Sequence, residues 1–142
     1  MMHKYTVLLL LSVLSLMGQA QSLSFQELLN KKKFTEVIAL ADSLTPADSA
    51  DYVTMSAIGQ AYEGVLEYNE AYRCYQHCLQ MDTTNVDALS YVARVAMNLG
   101  KASVAQDCFR KVLESDSTDF YANYQLARLY SQIGDYENAV LQ

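Results

Sequence analysis

Cys74, His77 and Cys78 are the one grouping in this sequence with the spacing of metal ligands. On a helix Cys74 and Cys78 share a face, and His77 is a near neighbour. Two thiolates and an imidazole could hold Zn²⁺, which takes about four ligands in a structural site or three plus water in a catalytic one. A free Cys, however, also behaves as a small hydrophobe. Ala71, Tyr75 and Cys78 form a small-large-small stripe at i, i+4 and i+7, which assigns Cys78 to packing. No metal site is expected. No catalytic set is visible either. Beyond residue 20 the chain has a single histidine, His77, and it lacks a Gly-rich phosphate loop and a Gly-x-Ser-x-Gly elbow. Its acidic residues are scattered singly, as solvated charges are. The chain is expected not to be an enzyme and to need no cofactor. Its net charge of −6 argues against nucleic acid as a partner, because clustered Lys and Arg carry that affinity. Lys31, Lys32 and Lys33 form the one basic run and read as a solvated helix end.

The elements that carry these residues recur every 34 positions. Ala71, Ala105 and Ala139 are spaced so, as are Asp51, Asn85 and Asp119, Gly100 and Gly134, Tyr62 and Tyr130, and Tyr75 and Phe109. A fixed period in this range marks a stack of one supersecondary unit. Asp51, Asn85 and Asp119 are good helix N-caps. Helices are predicted from about Tyr52 to Gly64 and from about Tyr68 to Met81, with Gly59 admitting a close neighbour and Tyr62 filling the gap beside it. Upstream, Phe25, Leu28 and Leu29 make one apolar face and Phe34, Val37, Ile38 and Ala41 another, which predicts a hairpin of short helices over residues 22–44. A composition 51% hydrophobic, with one Pro and five Gly, suits helices packed on helices. The expected fold is all-α, an α-solenoid.

Within the period, Ile58-Gly59-x-x-Tyr62 precedes Ala71-x-x-x-Tyr75-x-x-Cys78. Val92-Ala93-x-x-Ala96 precedes Ala105-x-x-x-Phe109-x-x-Val112. Leu126-Ala127-x-x-Tyr130 precedes Ala139. On these motifs the chain resembles the tetratricopeptide repeat family, whose units are antiparallel helix-turn-helix pairs. The resemblance implies units over residues 52–85 and 86–119, a partial unit over 120–142, and a divergent helical hairpin at 22–44. The Pro that usually follows the second helix is absent. Thr83 and Ser117 stand there, which is expected to cost turn rigidity. Equivalent second-helix positions such as Cys74 and Cys108 should lie about 9–10 Å apart. A disulfide needs Cα atoms within about 7 Å, so no intramolecular bond is expected.

The resemblance also implies a concave groove, lined by the first helix of each unit, that binds an extended peptide or a partner segment. The groove-facing rows would hold Val53, Ser56, Gln60 and Glu63, then Asp87, Ser90, Tyr91, Arg94 and Asn98, then Tyr121, Tyr124, Gln125, Arg128 and Gln132. The expected peptide-binding residues are Tyr91, Arg94, Asn98, Tyr121, Tyr124 and Arg128. Arg forks accept carboxylates bidentately, and Tyr and Arg are enriched in binding hot spots. Arg94 and Arg128 occupy one position a repeat apart, and pairing with Asp or Glu of a neighbouring helix is the alternative use for both.

Residues 1–20 read as a signal peptide. His3 and Lys4 give a basic start, Tyr5–Met17 a stretch too short to cross a bilayer comfortably, and Gly18-Gln19-Ala20 small residues for cleavage between Ala20 and Gln21. The mature chain is expected to be exported, periplasmic or secreted, and free of the membrane. The expected function is a non-catalytic scaffold for protein or peptide partners. The third unit stops at Gln142, early in its second helix. A partner or a second copy is expected to cover that end. Alternatively, these residues are the sensory or docking part of a longer protein with its output domain beyond residue 142.

Overall fold

The computed structural model describes residues 25–44, 51–132 and 134. The expected cleavage point at Ala20 and Gln21, and Tyr136 and Ala139 of the third unit, lie outside the described residues. Seven helices and no strand are found among the described residues. They are α1 (residues 25–30), α2 (Phe34–Asp42), α3 (Tyr52–Gly64), α4 (Tyr68–Met81), α5 (Val86–Asn98), α6 (Ala102–Ser115) and α7 (Phe120–Gln132). The main contacts run between helices adjacent in sequence, α2 on α3 through to α6 on α7. The chain is an all-α solenoid.

Each odd helix from α3 onward starts at a side-chain cap. The carboxylate of Asp51 accepts the Thr54 N–H at 2.9 Å, Asn85 Oδ1 accepts that of Ala88 at 2.9 Å, and Asp119 accepts that of Ala122 at 2.7 Å. Each satisfies a donor that the first turn of a helix leaves unpaired. The even helices α2, α4 and α6 have no such cap. They are reached through a left-handed residue instead. Lys32, Leu66, Gly100 and Gly134 have φ of 55°, 65°, 70° and 77°, at intervals of one repeat. The residue after each of the first three closes the preceding helix: Lys33 N–H on Leu28 O, Glu67 on Tyr62 and Lys101 on Ala96, at 2.8–2.9 Å. That is the bond of a Schellman turn, where glycine is the strain-free choice.

The missing proline does not leave the other turn loose. Asp82 accepts both the N–H and the hydroxyl of Thr84, at 2.9 and 2.7 Å, and Asp116 does the same for Thr118 at the same distances. These bonds hold both carboxyls below the usual range. Asp-x-Thr therefore sets the turn that proline sets elsewhere.

Two apolar clusters form the core. One joins Phe25, Leu29 and Val37 to Ala57, Ile58, Ala61 and Cys74. The other runs from Ala71 and Tyr75 through Val92, Ala93, Phe109 and Val112 to Leu126 and Tyr130. Tyr62 packs against both and bridges them. The sequence sets Tyr62 beside Gly59; what lies nearest is the Tyr75 ring, and a Cβ on Gly59 would stand 2.6 Å from Tyr75 Cε1.

Candidate functional site

α3, α5 and α7 lie side by side, and their shared face carries the residues the sequence singles out. Glu63 on α3 is the hub of the first junction. Its carboxylate accepts Arg94 Nε at 2.6 Å and Nη2 at 2.7 Å from α5, and the Tyr75 hydroxyl at 3.0 Å from α4. A forked, charge-assisted pair of this kind is strong and directional. It holds the Arg94 guanidinium above its ordinary range, and burial, with Glu63 second, raises the Tyr75 phenol. Tyr91 stacks on Tyr75 with ring centroids 4.9 Å apart, and Arg94 lies over the Tyr91 ring at 5.2 Å. Tyr91 and Arg94 are thus part of a lock between units. Arg94 takes the alternative use, pairing with an acid of the neighbouring helix.

The second junction differs. Between α5 and α7 opens a cleft of about 480 Å³. Arg94, Asn98, Tyr121, Gln125, Arg128 and Gln132 are among the side chains that line it. Four of the six expected groove residues therefore meet there: Arg94, Asn98, Tyr121 and Arg128. Tyr91 lies in the lock, and Tyr124 stands beside the cleft, stacked on Phe120 at 6.3 Å. Asn98 donates to Arg94 O at 3.1 Å. Tyr121 leans edge-on against Phe109 with centroids 5.8 Å apart. Arg128 is exposed and has no ion pair among the described residues.

Two expected groove residues are placed differently. Ser56 is buried, and its hydroxyl turns back onto Val53 O at 3.0 Å. Gln125 lines the cleft but is only 7% exposed, and its Oε1 is buried with no hydrogen-bond partner among the described residues. The signal for Gln125 was in the sequence: the same position holds Ala57 and Tyr91 in the preceding units, and a polar residue in an otherwise apolar row asks for a partner.

Cys74, His77 and Cys78 do not converge. Both thiols are buried, which pushes each up to about 11, while His77 is exposed. Cys108 is also buried and its thiol raised for the same reason. Lys31, just past α1, pairs with Glu27 at 2.6 Å and Lys33, just before α2, with Glu36 at 2.8 Å, all four exposed.

Residues 108–140 match the family model described as tetratricopeptide repeat. The chain is 33% identical over 111 residues to the tetratricopeptide repeat and J domain-containing co-chaperone DNJ1 of Fusarium oxysporum f. sp. lycopersici. That match takes in 76% of this chain and 21% of the co-chaperone, so the chain spans about a fifth of that relative's length. Among solved structures, the fold is similar to that of MamA, with a TM-score of 0.74 and 19% identity over 82% of this chain and 68% of MamA. It is also similar to a tetratricopeptide repeat protein from Parabacteroides merdae, with a TM-score of 0.75 and 21% identity over 86% of this chain and 49% of that one.

Proposed function

Because the chain is a tetratricopeptide repeat protein, a fold that serves as a scaffold for other proteins, we propose that it takes an extended segment of a partner protein along the face of α3, α5 and α7. One observation carries this reading: the cleft between α5 and α7, with the Arg128 guanidinium and the Tyr121 ring at its wall. Stacked units leave such an extended surface because each buries its apolar side only against its neighbours. Tyrosine gives contact area with a polar tip, and arginine a planar fork, so both suit a segment that presents backbone amides and polar side chains. The reading is non-catalytic: the face offers hydrogen-bond donors, acceptors and rings, and the buried thiols point into the core.

The test selects peptides from an end-blocked random library on the immobilised full chain, then maps hydrogen exchange with the bound peptide. Slower exchange in α5 and α7, and in the turn between α6 and α7, supports the groove. Protection confined to α4 and α6 overturns it.

Export is proposed from the first 20 residues alone. Native protein beginning at Gln21 supports it, and native protein that keeps Met1 overturns it. No helix among the described residues is long and apolar enough to cross a membrane.

A further inference from the structure

The two junctions along the groove are built on the same positions with different residues. At the first stand Glu63, Tyr75, Tyr91 and Arg94. One repeat later, at the second, stand Met97, Phe109, Gln125 and Arg128. Every element of the first lock has a counterpart in the second that cannot close it. Met97 has no carboxylate for Arg128. Phe109 has no hydroxyl. Gln125 replaces the stacked Tyr91 and puts a carbonyl oxygen into a buried wall without a partner among the described residues. The second junction keeps the cation and adds an acceptor, and it has a cleft where the first has a salt bridge.

We infer that the α5/α7 cleft binds an acidic extended segment by completing this second lock from outside. A Glu or Asp side chain of the segment pairs with Arg128, as Glu63 pairs with Arg94, and a backbone N–H of the segment donates to Gln125 Oε1. The inference rests on the groove reading above and assigns the residues and the ligand chemistry.

Three observations carry it. The first is the orphaned acceptor. A buried carbonyl oxygen without a donor destabilises the fold, and the apolar residues at equivalent positions show that the repeat does not require it. The second is the internal template. The protein itself shows how a side-chain carboxylate seats on this arginine position, forked at 2.6 and 2.7 Å. The third is reach. Gln125 and Arg128 stand one helical turn apart, about 5–6 Å between their Cβ atoms. That separation suits a backbone amide and the side chain of the same or the next residue in an extended strand. The half-exposed Tyr121 and Tyr124 continue the face toward the start of α7. The segment therefore has surface beyond the cleft, and it passes through instead of ending there.

The experiment uses the library peptides retained by the wild-type full chain, and three variants. Met97→Glu supplies the missing carboxylate from within. It is expected to close Arg128, weaken retention of acidic peptides about tenfold or more, and leave the melting temperature unchanged or higher. Gln125→Leu removes the orphaned oxygen. It is expected to raise the melting temperature by several degrees and to weaken the same peptides about fivefold to tenfold, the worth of one hydrogen bond. Arg128→Gln is expected to abolish the preference for Glu or Asp over Gln at the selected position. Methylating the peptide amide nearest the acid should weaken binding to the wild type and make little difference to Gln125→Leu. Three outcomes overturn the inference: retained peptides with no acidic position, Met97→Glu binding as the wild type does, or Gln125→Leu gaining stability with unchanged affinity. Peptides that protect α5 and α7 but lack an acid sink this inference and leave the groove standing. Peptides that protect α4 and α6 sink both.

Discussion

The α3/α5 junction is closed and the α5/α7 junction is open, though the backbone arrives at both in the same way. Caps at Asp51, Asn85 and Asp119 start the three helices alike, and left-handed turns at Leu66 and Gly100 end α3 and α5 alike. The difference lies in four side chains per junction. At the first, three polar groups meet on one carboxylate, and two tyrosine rings stack beneath them. At the second, an arginine lines a cleft together with a glutamine whose side-chain oxygen is buried with no hydrogen-bond partner among the described residues. A repeat thus separates two tasks. The periodic residues fix where the helices go, and the residues between them decide whether a junction is spent on the fold or kept for a ligand.

The comparison breaks most severely at Gly59. Tyr75, which holds the closed junction from below, lies against this glycine and is fully buried, with its hydroxyl tied to Glu63 and its ring stacked on Tyr91. Gly59→Ala sets a methyl 2.6 Å from the Tyr75 ring, which has little freedom to move. The expected loss is about 1–3 kcal/mol, the usual range for overpacking a dense core, read from the urea midpoint at constant slope. The open junction has Ala93 at this position and Phe109 opposite, both buried. Ala93→Gly should cost about 1–2 kcal/mol, from a lost methyl and a freer unfolded chain. Equal losses at the two sites would show that Tyr75 yields, and that the closed junction is no tighter than the open one.

The residues that set the helices could be read from the sequence, and those that set the junctions largely could not. The N-caps, the apolar stripe Ala71-Tyr75-Cys78 and the core positions Val92, Ala93 and Phe109 follow from local chemistry and one period, since each acts within a helix or against its immediate neighbour. Glu63 and Arg94 are 31 residues apart, and their meeting depends on how α5 tilts on α3. Pattern alone therefore left both uses of Arg94 standing. The left-handed turns were half visible. Gly100 and Gly134 announce them, but Lys32 and Leu66 adopt the same backbone without the residue that advertises it. The Asp-x-Thr turns were present at the right period, at Asp82 and Asp116. The expectation of a looser turn came from looking for proline instead of for another way to bond the same amide. Gln125 lines the α5/α7 cleft, but its burial depends on the packing of α7 against the preceding unit.

Glu63→Met gives the closed junction the residue of the open one, and it sharpens the comparison with a smaller effect. Two things are lost: the fork to Arg94 and the acceptor for the Tyr75 hydroxyl. The Arg94 side chain is 37% exposed, so water screens part of the pair and takes over part of its solvation when Glu63 goes. Tyr75 is deep in the core, and its hydroxyl pays more for the loss of a partner. The expected destabilisation is about 1–2 kcal/mol after that screening. Binding should move the other way. Arg94 would then face the groove without its carboxylate, as Arg128 does. Library peptides retained by Glu63→Met should carry a second acidic position, which Arg94→Gln in the same background removes. A variant that loses stability and selects the same peptides as the wild type would show that an uncovered arginine is not enough to make a junction receptive. The orphaned oxygen of Gln125, which the first junction lacks, would then be the feature that separates the two.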